Sequence, residues 1–321
     1  MIRRMEQLAL VDFHPLVQKQ GIEMEGQILI GDAQAVLGTL PDQSFRCCIT
    51  SPPYWGLRDY GIPSQIGAEA NLNDFIGKLV DVFREVRRVL ADDGTLWLNI
   101  GDCYTSGNRT WRAIDKKNPA RAMSYRPPTP DGLKSKDLIG VPWRIAFALQ
   151  EDGWYLRSDI IWNKPNCMPE SVKDRPTRAH EYLFLLSKSE KYHYDYKAVR
   201  EPSLGRLRNR RTVWSVHTEA YPGAHFATFP PRLVEPCILA GSSPGDKVLD
   251  PFFGSGTVGI ASARHGRDYL GIELNQEYAN LASQRLGVPA LNHRKFATIR
   301  AVLSPSGSQE TRILKSLMTP V

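Results

Sequence analysis

From Gln27 onward the chain alternates short, wholly apolar runs with longer amphipathic stretches. Ile28-Leu29-Ile30 reads as a buried strand ending at Gly31-Asp32, followed by a short helix over residues 33–40. Residues 45–50 form a second apolar run, which passes directly into Ser51-Pro52-Pro53-Tyr54. A long helix is predicted over residues 72–90, because Phe75, Leu79, Val82, Phe83, Val86 and Leu90 recur on one face. It should stop at Asp92-Asp93-Gly94, with a buried strand over residues 95–100. Further on, the pattern predicts a helix over 138–150 and strands over 155–162 and 181–187. A helix over 231–240, a strand over 247–250 and a helix running to about His265 come next. A strand over 268–272 and a helix over 276–286 close the regular part. Strands alternating with helices mark an α/β domain with a mostly parallel sheet covered on both faces.

Two stretches break the rhythm. Residues 102–135 carry Arg109, Arg112, Lys116, Lys117, Arg121 and Arg126 among aromatics and prolines, and read as a long basic loop. Residues 188–223 carry Arg200, Arg206, Arg208, Arg210 and Arg211, interleaved with Tyr192, Tyr194, Tyr196 and Trp214, and also read as irregular. The chain thus divides into an N-terminal extension (1–26), a first half-domain (27–187), a basic insert (188–223), a second half of the same domain (224–287) and a tail (288–321). That tail is polar and expected to pack poorly.

Composition adds little until charge is considered. The 321 residues carry a formal net charge of +7, a mild bias toward a polyanionic partner. No apolar run approaches the roughly 18 residues of a membrane span. Five cysteines without a Cys-x-x-Cys pair indicate neither a disulfide framework nor a zinc site. Small buried apolar residues is the better reading of them, in keeping with a soluble cytoplasmic protein.

Chemistry concentrates in two places. Val248-Leu249-Asp250-Pro251-Phe252-Phe253-Gly254-Ser255-Gly256-Thr257 reads as a strand, a glycine turn and a helix start, a geometry that lets a ligand approach the backbone near a helix N-terminus. Glu273 ends the next strand, where an acid suits ribose hydroxyls. The spacing is not the Gly-x-Gly-x-x-Gly of dinucleotide folds. Asp250 at the strand tip would repel a pyrophosphate and suits an ammonium-bearing ligand such as the methionine part of S-adenosylmethionine. Asp32 ends its own strand and suits an adenine amino group, although capping the helix that follows fits equally well. In Thr50-Ser51-Pro52-Pro53-Tyr54, two prolines stiffen the loop and remove two donors, leaving carbonyl acceptors beside the Ser51 hydroxyl and the Tyr54 ring. Acceptors holding both N–H bonds of an exocyclic amine would free its delocalised lone pair, and a stacked ring would favour the cationic transition state. A packed Pro-Pro turn is the plainer alternative.

Thr50 to Tyr54, Asp250 to Thr257 and Glu273 together resemble the amino-group DNA methyltransferases, which modify N4 of cytosine or N6 of adenine. His225-Phe226-Ala227-Thr228-Phe229-Pro230 is similar to the segment that lines the methionine pocket in that family. Trp162-Asn163-Lys164-Pro165 and His180-Glu181 resemble its later strands. The order, catalytic motif before cofactor motif, is that of the beta group. The resemblance therefore implies a Rossmann-like methyltransferase fold with seven strands in circularly permuted motif order, and S-adenosylmethionine as cofactor. It implies Ser51, Pro52, Pro53 and Tyr54 as catalytic residues. Asp32, Phe229, Asp250, Pro251, Phe252, Gly254, Gly256, Thr257 and Glu273 become cofactor contacts. Residues 188–223 become the target-recognition region, with Arg109, Arg112, Lys116, Lys117, Arg206, Arg208, Arg210 and Arg211 on double-stranded DNA. No metal is expected. A cognate restriction endonuclease as partner stays open, as does the choice between monomer and homodimer. Serine at position 51 resembles the cytosine-N4 enzymes, adenine-N6 being the alternative. The motif order counts against protein glutamine methyltransferases, and an intact loop counts against a non-catalytic sensor.

Overall fold

The computed structural model describes residues 25–57, 62, 65–106, 111, 126–219 and 229–293. Expectations for Arg109, Arg112, Lys116 and Lys117, and for residues 225–228, lie outside these. In chain order the elements are β1 (Gly26–Ile30), α1 (Ala33–Leu37), β2 (Phe45–Thr50), α2 (Leu72–Val89), β3 (Leu90–Ile100), α3 (Val141–Glu151), β4 (Tyr155–Asn163) and β5 (His180–Ser187). There follow β6 (Glu201–Ser203), β7 (Arg206–Arg208), β8 (Val213–Ser215), α4 (Pro231–Gly241), β9 (Lys247–Asp250), α5 (Thr257–Arg264), β10 (Asp268–Glu273), α6 (Gln276–Leu286) and β11 (Ala290–Asn292).

Nine strands form one sheet in the order β11-β1-β10-β9-β2-β3-β5-β4-β8. Seven were expected; the three-residue strands β11 and β8 extend the two edges. Strand β5 runs antiparallel to both its neighbours, and every other pairing in the sheet is parallel. Alternate side chains therefore serve two cores. Cys48, Leu96 and Leu98 pack with α1, α2 and α3, whereas Cys47, Ile49 and Trp97 pack with α4, α5 and α6. Helix α2 forms because Asn71 caps it, accepting from the Asp74 N–H at 2.8 Å, and because its stripe from Leu72 to Val89 is buried.

Several boundaries differ from the expectation. Helix α2 ends at Val89 and Leu90 already belongs to β3, which bulges: Phe45 opposes Leu90 but Cys47 opposes Thr95. The polar Asp92-Asp93-Gly94 signal thus marks a bulge within a strand, with Asp93 ion-paired to Arg46. Helix α3 begins at Val141, three residues later than its apolar pattern, because Gly140 is left-handed (φ 76°). The basic insert is not wholly irregular: β6 and β7 form a hairpin, and β8 pairs with β4. Its Trp214 packs against Trp97, whereas Trp111 is exposed. Just past Pro289, β11 pairs with β1 where a loose tail was expected. Of the cysteines, Cys47, Cys48 and Cys237 are buried, while Cys103 and Cys167 are only partly so. No helix among the described residues is long and apolar enough to cross a membrane.

One close approach makes the packing testable. A Cβ on Gly271, within β10, would lie 2.2 Å from Cγ of Phe253. Gly271→Ala should lower the unfolding free energy by about 1–3 kcal/mol through overpacking, measured by denaturant titration. Unchanged stability would contradict this packing.

Candidate active site

All the parallel strands end on the same side of the sheet, so their carboxyl tips form one row of polar residues. Asp32 follows β1, Glu273 ends β10, Asp250 ends β9, Ser51 follows β2, Gly101 follows β3 and Lys164 follows β4. Glu181 joins them from the start of the antiparallel β5. Helices α1 and α2 lie on one face and α4 and α5 on the other, so the chain leaves β2 and β9 toward opposite faces of the sheet. Open α/β sheets present a crevice at such a point.

At this crevice Thr50 Oγ1 donates to Asp250 Oδ1 at 2.7 Å, and the Phe252 N–H donates to the same oxygen at 3.0 Å. Asp250 is 1% exposed. Burial pushes its carboxyl up to about 7, more than these hydrogen bonds pull it down. Burial likewise raises Glu273, whose two oxygens accept from the N–H groups of Gly254 (2.7 Å) and Asn275 (2.8 Å). The turn between them needs its glycines: Gly254 has φ +51° and Gly256 has φ +82°. A Cβ on Gly254 would meet no atom within 4 Å, whereas one on Gly256 would crowd Leu286 and Ala282. The first glycine thus borders open space and the second serves packing. Thr257 and Pro251 are buried, Phe252 is half-buried, and Phe229 packs at the rim of the second core. Asp32 caps α1, accepting from the Ala35 N–H at 2.9 Å.

Ser51 and Pro53 are half-buried and Pro52 is buried. The Tyr54 hydroxyl donates to Glu181 Oε2 at 2.8 Å and stands 3.5 Å from both Ser51 Oγ and Asn99 Oδ1. A Cβ on Gly101 would lie 2.7 Å from the Tyr54 ring, so only glycine admits the ring there. Lys164 Nζ bonds the other Glu181 oxygen at 2.5 Å.

The structure thus gathers Ser51, Pro52, Pro53, Tyr54, Asp250, Gly254 and Glu273 along one edge. Thr50, Asn99, Gly101, Lys164 and Glu181 were not among the candidate site residues. Lys164 and Glu181 stood within motif-like stretches, but their meeting with Tyr54 follows from strand pairing that no local spacing reveals. The basic residues are less free than expected. Arg208 and Arg211 both pair with Glu201 (2.9 and 2.7 Å), and Arg210 stacks 4.4 Å from the Trp214 ring centroid. Arg206 is exposed.

A family model described as DNA methylase matches residues 45–284. This chain belongs to the DNA methylase family. The type II methyltransferase M.Cfr9I of Citrobacter freundii is 66% identical over 273 residues, covering 84% of this chain and 91% of that protein. M.SmaI of Serratia marcescens is 65% identical over 263 residues, covering 81% and 90%. Among solved structures, a putative DNA modification methylase from Thermus thermophilus, complexed with S-adenosyl-L-methionine, superposes with TM-score 0.57 at 27% identity. That match covers 83% of this chain and 98% of the other. The cytosine-N4-specific PvuII DNA methyltransferase gives TM-score 0.63 at 20% identity, covering 85% and 90%, which speaks to the fold. As a DNA methyltransferase, the chain has its conspicuous polar groups at the carboxyl tips of its own sheet.

The raised Asp250 carboxyl carries a pH signature. Its folded value of about 7 exceeds the ordinary 3.8, so the fold favours the neutral acid. That contribution is fully present below the ordinary value and is lost as pH rises toward 7. Between about pH 5 and 7 the wild type should lose stability relative to Asp250→Asn, by roughly 1.4 kcal/mol per pH unit at most. Parallel stability curves for the two proteins would refute the raised titration of this buried acid.

Proposed function

We propose that this protein transfers a methyl group from S-adenosylmethionine to the exocyclic amine of a base in double-stranded DNA, N4 of cytosine in preference to N6 of adenine. The observation that carries the reading is the Thr50–Asp250 hydrogen bond, which joins the Ser51-Pro52-Pro53-Tyr54 loop to the acid at the tip of β9. The donor set fits the cofactor. Asp250 offers a buried carboxylate to an ammonium group, Glu273 and Asp32 offer acceptors, and the space beside Gly254 admits a ligand. In this reading Phe252 and Phe229 border the cofactor, while Pro251, Gly256 and Thr257 pack behind the turn and hold its shape.

Bound there, S-adenosylmethionine would supply an electrophilic methyl group to the amine lone pair; the carbon–sulfur electron pair would stay on sulfur, and the cationic amine would release one N–H proton to solvent. The chain's own residues prepare the amine. With the base flipped out of the duplex at a cost of a few kcal/mol, Ser51 Oγ and the loop carbonyls ahead of Pro52 and Pro53 accept its N–H bonds. This draws the nitrogen toward tetrahedral geometry, and the Tyr54 ring stacks on the base. Residues 27–187 form the catalytic half and 224–287 the cofactor half, in the permuted order that the resemblance implies. Residues 188–223 read the target, with Arg206 the arginine best placed to meet a phosphate and Arg208, Arg210 and Arg211 shaping the surface around it. Arg109, Arg112, Lys116 and Lys117, which lie outside the described residues, bind phosphates. Serine at position 51 carries the preference for cytosine.

Incubation with labelled cofactor and DNA, followed by mapping of modified bases, should give N4-methylcytosine. N6-methyladenine would overturn the choice of base, and unlabelled DNA with every sequence tried would overturn the function. Ser51→Ala should lower the single-turnover rate on the order of 100-fold with little change in cofactor affinity. Binding of DNA should weaken steeply with added salt.

A further inference from the structure

Lys164 and Glu181, behind the Ser51–Tyr54 loop, form with Tyr54 a chain of polar contacts with a direction. Lys164 sits at the carboxyl end of β4 and Glu181 near the start of β5, with Trp162 opposite Glu181 and Asn163 opposite His180 in the ladder. The Lys164 N–H donates to Ala179 O at 2.8 Å, which fixes the backbone beneath its side chain. Its ammonium lies 4.1 Å from the ring centroid of buried Trp162 and bonds Glu181 Oε1 at 2.5 Å. Both members of the pair are less than one-fifth exposed. Glu181 Oε2 accepts a hydrogen bond from the Tyr54 hydroxyl at 2.8 Å, and the bare Cα of Gly101 leaves room for the ring.

A phenol has one proton. If Tyr54 donates it to Glu181, the phenol oxygen faces its surroundings as an acceptor. Ser51 Oγ stands 3.5 Å away, long for a hydrogen bond but of the kind that tightens in a substrate complex. A Ser51 proton drawn toward Tyr54 leaves the Ser51 lone pairs for the N–H bonds of an amine. We propose that Glu181, seated by Lys164, is a positioning residue that acts through Tyr54, setting both the ring's placement and the polarity of the Ser51 hydroxyl. This rests on the reading of Ser51 to Tyr54 as the pocket for the reacting amine. A mere brace between β4 and β5 would affect stability without being coupled to the Tyr54 hydroxyl.

The test is a double-mutant cycle on single-turnover methyl transfer at saturating cofactor and DNA, with Ser51→Ala as the control for the pocket. Tyr54→Phe and Glu181→Ala should each slow transfer by about 10-fold or more, the scale of a lost hydrogen bond to a charged group. Cofactor affinity should stay within about twofold. The double variant should be no slower than the slower single variant by more than about twofold, because both changes remove the same contact. Glu181→Gln, whose amide oxygen still accepts, should recover part of the rate and keeps the cycle usable if Glu181→Ala does not fold. Independent, multiplying effects, or Glu181 variants at the wild-type rate while Ser51→Ala is slow, would overturn the positioning role alone. Ser51→Ala at the wild-type rate, or a wild type that transfers no methyl group to DNA, would overturn the pocket reading and this inference with it.

Discussion

Strands β2 and β9 come from opposite thirds of the chain, yet they lie side by side and pair over only two residues, Cys47 with Val248 and Cys48 with Leu249. Past that short ladder the Thr50 hydroxyl donates to Asp250 across the two strand tips. The strands β9 and β10 have been inserted between β1 and β2, so the two halves of the chain close a single sheet. Each half alone would leave an edge strand of apolar residues unpaired. The cleft exists because these halves meet there with their helices on opposite faces.

The electrostatics of the cleft run against those of the whole molecule. The chain carries a net charge of +7, but its central crevice holds buried Asp250 and half-buried Glu273, whose carboxyls desolvation raises above their ordinary range. Such acids favour a cationic ligand, because a nearby positive charge restores the ionised form that burial disfavours. Part of the described basic surface is meanwhile paired within the protein, with Arg208 and Arg211 sharing Glu201 and Arg175 lying 3.9 Å from the Tyr104 ring centroid. Positive charge in the sequence is therefore a poor count of positive charge available to DNA.

Legibility followed the range of the interactions involved. Strand β9 and helix α6 match their patterns to the residue, since their apolar periodicity and flanking Gly245 and Gly287 are local. The Asp92-Asp93-Gly94 signal was misleading because a bulge and a turn use the same polar residues, and only the partner strand distinguishes them. Strands β8 and β11 were missed because a three-residue edge strand has no periodicity to read. The glycine turn after Asp250 was legible in the same local way, although the two glycines divide their work between open space and packing.

What the sequence determined by itself was the α/β alternation, the two motif-bearing strand tips and the residue types on them, because each depends on neighbours within a few positions. The tertiary structure decided which tips adjoin. It set Thr50 against Asp250 across 200 positions of chain and Tyr54 against Glu181 across 127. Such contacts depend on strand order and register, and those are settled by the burial of two whole sheet faces rather than by any local run of residues.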